Sequence, residues 1–405
     1  MKGVVKRLSL VAAVIVLQFS LATVNMPALS AAASNIGTEE QLTETIENAR
    51  DGDIVTIISN ITLTQELIIN RAVTIDTRDC HFNVLGAKLI CNAGTIKGSR
   101  SPVKVTSGGC LELNSGATIT AEQGDAVVSI GGGIVHINGG TVNGSVSYSQ
   151  GPEITMKDGS ITNGLFLSQF TSFKLSGGII NNGVKAVNGV FTFDGGTIKG
   201  EEYGIRAEDG LILNMTSGSV NAINGSGIEL NKGASADIKG GTVNAKYGIV
   251  MIDGSKASIV TSYSSINGIF NNNRMRLVSP LPEVVDTKMG STETVPINCL
   301  ESLNFSIGSD TPSVLYVEKT GQNSFSVTPS KAGSFLLSLD YTTKDKSFIS
   351  LGVPVIVKRR SAIASPSTSS SSNTENNFYQ DAWKTIQEQF RFTPRPLIPE
   401  TGALS

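Results

Sequence analysis

The sequence predicts an all-β fold, a right-handed parallel β-helix of about twelve coils with an N-terminal capping helix, followed by a small β-sandwich. Three observations predict it. A short phrase, Gly140-Thr141-Val142-Asn143 and its relatives, recurs with its aliphatic anchor at Ile96, Ile119, Val142, Ile161, Ile180, Ile198, Val220, Val243 and Ile266. The gaps are 23, 23, 19, 19, 18, 22, 23 and 23 residues, a loose period that marks a solenoid tolerant of insertions in its turns. The columns beside the anchor are chemically uniform: a tiny residue stands two before it (Gly94, Ala117, Gly140, Gly159, Gly178, Gly196, Gly218, Gly241, Ser264), and one before it stands a hydroxyl in every coil except at Ile179. Five residues before the anchor runs a second apolar column, Ile137, Met156, Leu175, Phe193, Met215 and Ile238.

These columns specify one kind of solenoid. Gly and Asn tolerate left-handed backbone and suit corners, and Asn follows the anchor at Asn143, Asn181, Asn221, Asn244 and Asn267. Thr and Ile or Val are β-branched and put adjacent side chains on opposite faces of a strand. The phrase therefore reads corner, outward hydroxyl, inward aliphatic, corner. Leucine-rich repeats need an L-x-x-L-x-L phrase that is absent, and helical repeats need a period of 3.6 where this chain alternates with a period of 2. Strands joined in parallel by crossovers wind right-handed.

Along the chain, residues 1–33 read as a secretory signal, with Lys2, Lys6 and Arg7, an apolar run from Leu8 to Val24, and Ala31-Ala32-Ala33 as the cleavage site; the alternative is an uncleaved membrane anchor, against which stand the shortness of the run and its breaks at Gln18 and Ser20. No second membrane span follows, so none is expected after signal removal. Thr38 to Arg50 forms an amphipathic helix, Thr38 and Gln41 at capping-box spacing and Leu42, Ile46 and Ala49 on one face. Such a helix suits the open apolar end of a β-helix. Asp51-Gly52-Asp53 ends it, and strands at Ile54 to Ile58, Leu67 to Ile69, Val73 to Ile75 and Phe82 to Leu85 give three irregular coils before the regular phrase begins. A second strand recurs at Gly204-Ile205, Gly227-Ile228, Gly248-Ile249 and Gly268-Ile269, which stacks Arg206 on Glu229, 23 residues later.

The capping helix, the Gly-Asp-x-Ile strand, the strand Val73 to Asp76 and the Gly-Gly-Thr-Ile phrases together resemble the parallel β-helix of the pectin-lyase-like superfamily, closest to repeat-rich bacterial surface proteins. The resemblance covers residues 36–280. Pro280-Leu281-Pro282 marks a boundary. Beyond it strands are read at Ser313 to Glu318, Ser324 to Thr328, Ser334 to Asp340 and Val353 to Lys358. The run Phe325 to Phe335, with its Lys331-Ala332-Gly333 turn, resembles bacterial Ig-like domains, which implies a small sandwich over 283–358. Residues 361–377 are a Ser-rich linker. In 378–405, Tyr379, Trp383, Ile386 and Phe390 share a helical face, as at the start of a further module. Leu397-Ile398-Pro399-Glu400-Thr401-Gly402 is similar to a sortase signal. That signal needs an apolar span behind it, and only three residues follow, so a chance match or a truncated frame is the reading.

Any catalytic chemistry would have to lie in the stacked columns. Charged residues are 16% and the net charge is -2, which gives no basic patch for nucleic acid. The superfamily resemblance implies a possible polysaccharide lyase or glycosidase, which needs carboxylates clustered for Ca²⁺ or paired about 5–10 Å apart. Over the twelve positions around the anchor, no column holds acids in two adjacent coils. His81 and His136 are lone, His136 reading as a surface residue. Cys80, Cys91 and Cys110 crowd the first coils with Cys299 distant, leaving a disulfide or small buried hydrophobes open. The best polar constellation is Glu201, Glu202, Tyr203, Arg206, Glu208 and Asp209 with Glu229, either a sugar-binding loop face or a solvated turn with a ladder ion pair. The expectation is an exported, non-catalytic monomeric rod without cofactor or metal. Its partner would be an extracellular polysaccharide or surface glycan. A lyase or hydrolase and a structural module of a larger surface protein are the alternatives.

Overall fold

A computed structural model describes residues 33–260, 264–271, 276–278, 285–296, 305–321, 324–343 and 345–359. The signal segment before Ala33, Cys299, the linker and the C-terminal helix and tail lie outside the described residues. The regular phrase folds as its alternation demands. Ile119, Val142, Ile161, Ile180, Ile198 and Val220 are fully buried, while Thr118, Thr141 and Thr197 face outward beside them. Each coil carries three strands, so the chain builds three parallel sheets. In the first, Ile119 pairs with Val142, Val142 with Ile161, Ile161 with Ile180 and Ile180 with Ile198.

The second sheet stacks the Gly-Ile strands, Ile205 on Ile228, Ile228 on Ile249 and Ile249 on Ile269. The third carries the second apolar column, Ile137 on Met156, Met156 on Leu175 and Leu175 on Phe193. Inside it Phe173 and Phe191 stack with ring centroids 4.6 Å apart. The anchors of the first sheet run from Val55 through Ile75 and Ile96 to Ile266, which gives eleven coils among the described residues, and the strand Ala33–Ile36 pairs in parallel with Ile54–Ile57 ahead of the first of them. That count is one fewer than the sequence suggests. Leu67–Ile69 and Phe82–Leu85 are strands of the third and second sheets within the first two coils, not coils of their own.

Corners are held by their own ladders. Between the third and first sheets an amide ladder climbs four coils: Asn92 Nδ2 donates to Asn70 Oδ1 at 2.6 Å, Asn114 to Asn92 at 2.7 Å and Asn138 to Asn114 at 2.9 Å. Asn70 is exposed and Asn92, Asn114 and Asn138 are half-buried, so the ladder runs along the surface of the corner and gives each amide a partner on a neighbouring coil. The tiny-residue column has a steric cause. A Cβ on Gly159, whose φ is +92°, would stand 2.1 Å from the Gly140 carbonyl oxygen one coil earlier. Tyr148, buried in the second sheet, donates its hydroxyl to the Gly133 and Glu153 carbonyls, each at 2.7 Å.

The two ends are closed differently. At the N-terminus the helix Glu39–Asn48 buries Leu42 and Ile46. Its cap is reciprocal: Thr38 Oγ1 accepts from the Gln41 amide at 3.3 Å, and Gln41 Oε1 accepts from the Gly37 amide at 2.9 Å. At the C-terminus, the described residues between 285 and 358 form seven strands in two sheets. One is Glu293–Pro296, Ser324–Pro329 and Leu315–Gly321, antiparallel. In the other, Phe305–Ser309 and Phe348–Lys358 flank Gly333–Thr342, and Val285–Lys288 lies parallel to Phe348–Lys358. The strand Phe348–Lys358 begins five residues before the Val353 expected from sequence. Those five residues run parallel to Lys256–Val260, with Phe348 opposite Lys256 and Gly352 opposite Val260. The C-terminal unit thus supplies the next strand of the third sheet.

Asp345 sits in the loop beside this junction. Desolvation opposes its ionisation, but hydrogen bonds from the Thr343 hydroxyl, from Ser347 and from the Asp253 amide hold its carboxyl below the usual Asp range. The Ser347 amide lies 3.2 Å away, and the Phe348 amide donates to the Ser255 carbonyl at 2.9 Å.

Two outcomes test this architecture. Gly52 also has a left-handed backbone, φ +91°, but a Cβ there meets nothing within 4 Å. Gly159→Ala should therefore cost about 1–3 kcal/mol more than Gly52→Ala in urea unfolding, and equal costs would deny the coil-to-coil contact. A depressed carboxyl stabilises above its unfolded pKa and loses that contribution as pH falls below about 3.9. Acid should thus loosen the junction of the wild type below about pH 4. Asp345→Asn should loosen it already at neutral pH and flatten the acid response, read by limited proteolysis across pH.

Candidate functional site

The strand Tyr203–Glu208 places the predicted residues. Its alternation buries Ile205 and Ala207 and turns Arg206 and Glu208 outward. Parallel register sets Arg206 directly against Glu229 of the next coil, as the 23-residue spacing implies. The Arg206 Nε donates to Glu229 Oε2 at 2.7 Å, and the guanidinium lies 4.0 Å from the Tyr203 ring centroid. Desolvation of Arg206 works against its charge, yet the Glu229 hydrogen bond and carboxylate raise its pKa above the usual Arg value.

This pair differs from the solvated ladder expected of it. Glu229 is only 6% exposed, so its carboxylate is taken out of water, and removing the guanidinium beside it carries a desolvation penalty. The remaining predicted residues do not join this stack. Glu208 Oε2 faces Lys185 Nζ at 3.4 Å and Asp209 Oδ1 faces Lys232 Nζ at 3.7 Å. Asp209 has φ +49°, and Gln150, Gln169, Asn188, Lys232 and Asp253 share that left-handed backbone at the equivalent corner. Asp209 is there to turn the chain. Glu202 gives its carbonyl to the Ser226 amide at 2.9 Å.

Three further carboxylates pair in the same way. Glu112 pairs with Lys88 at 2.7 Å, Asp76 with Lys97 at 3.4 Å and Asp194 with Lys174 at 3.1 Å, each between neighbouring coils. His136 Nδ1 meets Thr155 Oγ1 of the next coil at 2.7 Å. Cys80, Cys91 and Cys110 are free thiols, so the disulfide reading does not hold among these three. Burial pushes the Cys91 thiol up to about 12, which leaves it inert. Among the described residues no three His, Cys, Asp or Glu side chains converge on a metal position.

Glu201 goes elsewhere, to a groove of about 680 Å³ at the corner between the first and second sheets. Its lining comes from four successive coils and includes Asn181, Asn182, Lys199, Ile223 and Asn224. Sequence reading assigned the Asn column to corner geometry and did not single out this surface. The available signal was Ile223, an aliphatic residue set between Ala222 and Asn224 where neighbouring coils are polar. Comparison of the chain with protein-family models and with curated proteins gave no match.

Arg206→Ala should lower stability by about 1–2 kcal/mol, given the charged hydrogen bond to a buried carboxylate. Lys185→Ala, in a more exposed pair, should change it by under about 0.5 kcal/mol. Chemical denaturation of both variants decides this, and equal small effects would return the Arg206 pair to the surface class.

Proposed function

We propose that this chain is an exported, non-catalytic rod that binds an extracellular polysaccharide along its outward coils. The observation that supports this is the corner groove, which draws its lining from four successive coils spaced about 4.8 Å apart. A polymer lying along the axis meets lining from each coil in turn, Thr162, then Asn181 and Asn182, then Lys199 and Glu201, then Asn221 and Asn224, so affinity accumulates over several modest contacts.

The carboxylates favour binding over turnover. Lyase and glycosidase chemistry needs carboxylates free to hold Ca²⁺ or to sit opposite one another across a bond. Here Glu112, Asp76, Asp194, Glu208 and Glu229 each face a Lys or Arg within 3.4 Å, so these five are engaged in ion pairs. The Ig-like reading of the C-terminal unit and the pectin-lyase-like reading of the solenoid belong to the same proposal. Such a unit would space the rod from an envelope.

The full chain incubated with polyuronides and Ca²⁺ should give no rise in absorbance near 235 nm, the signature of an unsaturated product, and should bind glycans on an array. Turnover that Arg206→Ala abolishes would replace this proposal with the lyase. Absence of any glycan binding would leave the rod as a structural module.

A further inference from the structure

We infer that the corner groove is a binding site for a neutral glycan, with Ile223 as the platform for a sugar ring and asparagine amides as its hydrogen-bonding wall. This rests on the polysaccharide-binding reading above and assigns that reading its site and the charge class of its ligand.

Ile223 is 71% exposed. An aliphatic side chain that far out of the core does nothing for the stack, and it is not forced there by the coil period. It sits in a break of the ladder: the strand Ser219–Leu230 pairs with the next coil up to Ala222 and again from Ser226, and Ile223, Asn224 and Gly225 fall between. The break ends against the previous coil. The Ser226 amide donates to the Glu202 carbonyl at 2.9 Å, and a Cβ on Gly225 would stand 2.0 Å from that same oxygen. The bulge between these pairings lifts one apolar side chain into a polar groove.

The wall opposite has the chemistry that hydroxyl-rich ligands need. Asn182 donates one amide hydrogen to Asn163 Oδ1 at 3.2 Å, which fixes its plane and leaves its own carbonyl oxygen to accept. Asn181 and Asn224 also line the groove, and each amide can donate and accept at once, as adjacent sugar hydroxyls require. The groove is electrically balanced, because its lining charges are Lys199 and Glu201, one of each sign. Neither has an ion-pair partner among the described residues, whereas Lys185 and Arg206 of the second sheet are paired. A polyuronide would place a carboxylate on each ring and would need a cationic groove to receive it. A neutral chain matches zero net charge, an apolar platform and amides.

The lining spans three coil-to-coil steps, roughly 14 Å at about 4.8 Å per step, so a few rings are engaged at once.

The test uses the full chain and titration calorimetry with cellohexaose, xylohexaose and mannohexaose as neutral probes and hexagalacturonate as the anionic one. At least one neutral probe should bind, more tightly than hexagalacturonate. Ile223→Ala and Asn182→Ala should each weaken it about three- to tenfold, the range for one lost platform or hydrogen bond, with unchanged circular dichroism and melting temperature. Lys199→Glu should leave neutral binding within about twofold. Neutral binding untouched by Ile223→Ala and Asn182→Ala would overturn the groove while the polysaccharide-binding reading stands. Preferential hexagalacturonate binding lost in Lys199→Glu would overturn the neutral class. Failure of every probe, together with an empty glycan array, would sink both readings.

Discussion

Vertical registry is the constraint on which this molecule depends. Parallel hydrogen bonds hold each coil about 4.8 Å above the last, so every side chain lies against the same position of its neighbours. Identity of neighbours then dictates chemistry. Aliphatic columns dry the interior, as with Ile119, Val142 and Ile161. Amides climb as a ladder from Asn70 to Asn138, and outward charges meet opposite charges of the next coil, Lys185 with Glu208 and Arg206 with Glu229. A side chain on Gly159 has no room because a carbonyl from the coil before already stands there.

Registry also explains what could be read from sequence. Features that repeat within one coil were legible: the buried anchors, the second apolar column, the Gly-Ile strands and the meeting of Arg206 with Glu229. The helix near Thr38 was legible because its cap and apolar face are local. Features that depend on non-repeating partners were not. Phe348–Gly352 pairs with Lys256–Val260, about ninety residues earlier, and no spacing announces that partnership. The first two coils lack the Gly-Thr-Ile phrase, so their strands of different sheets passed as separate coils. The burial of Glu229 was hidden because its position is an outward one, and alternation alone assigns such positions to solvent.

The candidate site divides along the same line. Tyr203, Arg206 and Glu229 form a tight stack in which the guanidinium lies over the Tyr203 ring and donates to the Glu229 carboxylate. Asp209 belongs to a column of left-handed corners. Glu201 alone among the predicted residues faces the groove, where the ladder opens at Ile223 and the repeat is locally broken. In a molecule made by repetition, departures from the repeat are the places where something other than stacking has been built.

The junction between the solenoid and its C-terminal unit carries a mechanical consequence. Phe348–Gly352 lies along Lys256–Val260 in the same direction, so a pull on the C-terminal unit along that strand loads several interstrand hydrogen bonds together, in shear. They resist as a group instead of opening one after another like a zip. The joint can therefore transmit tension from one end of the protein to the other without first letting the unit swing away.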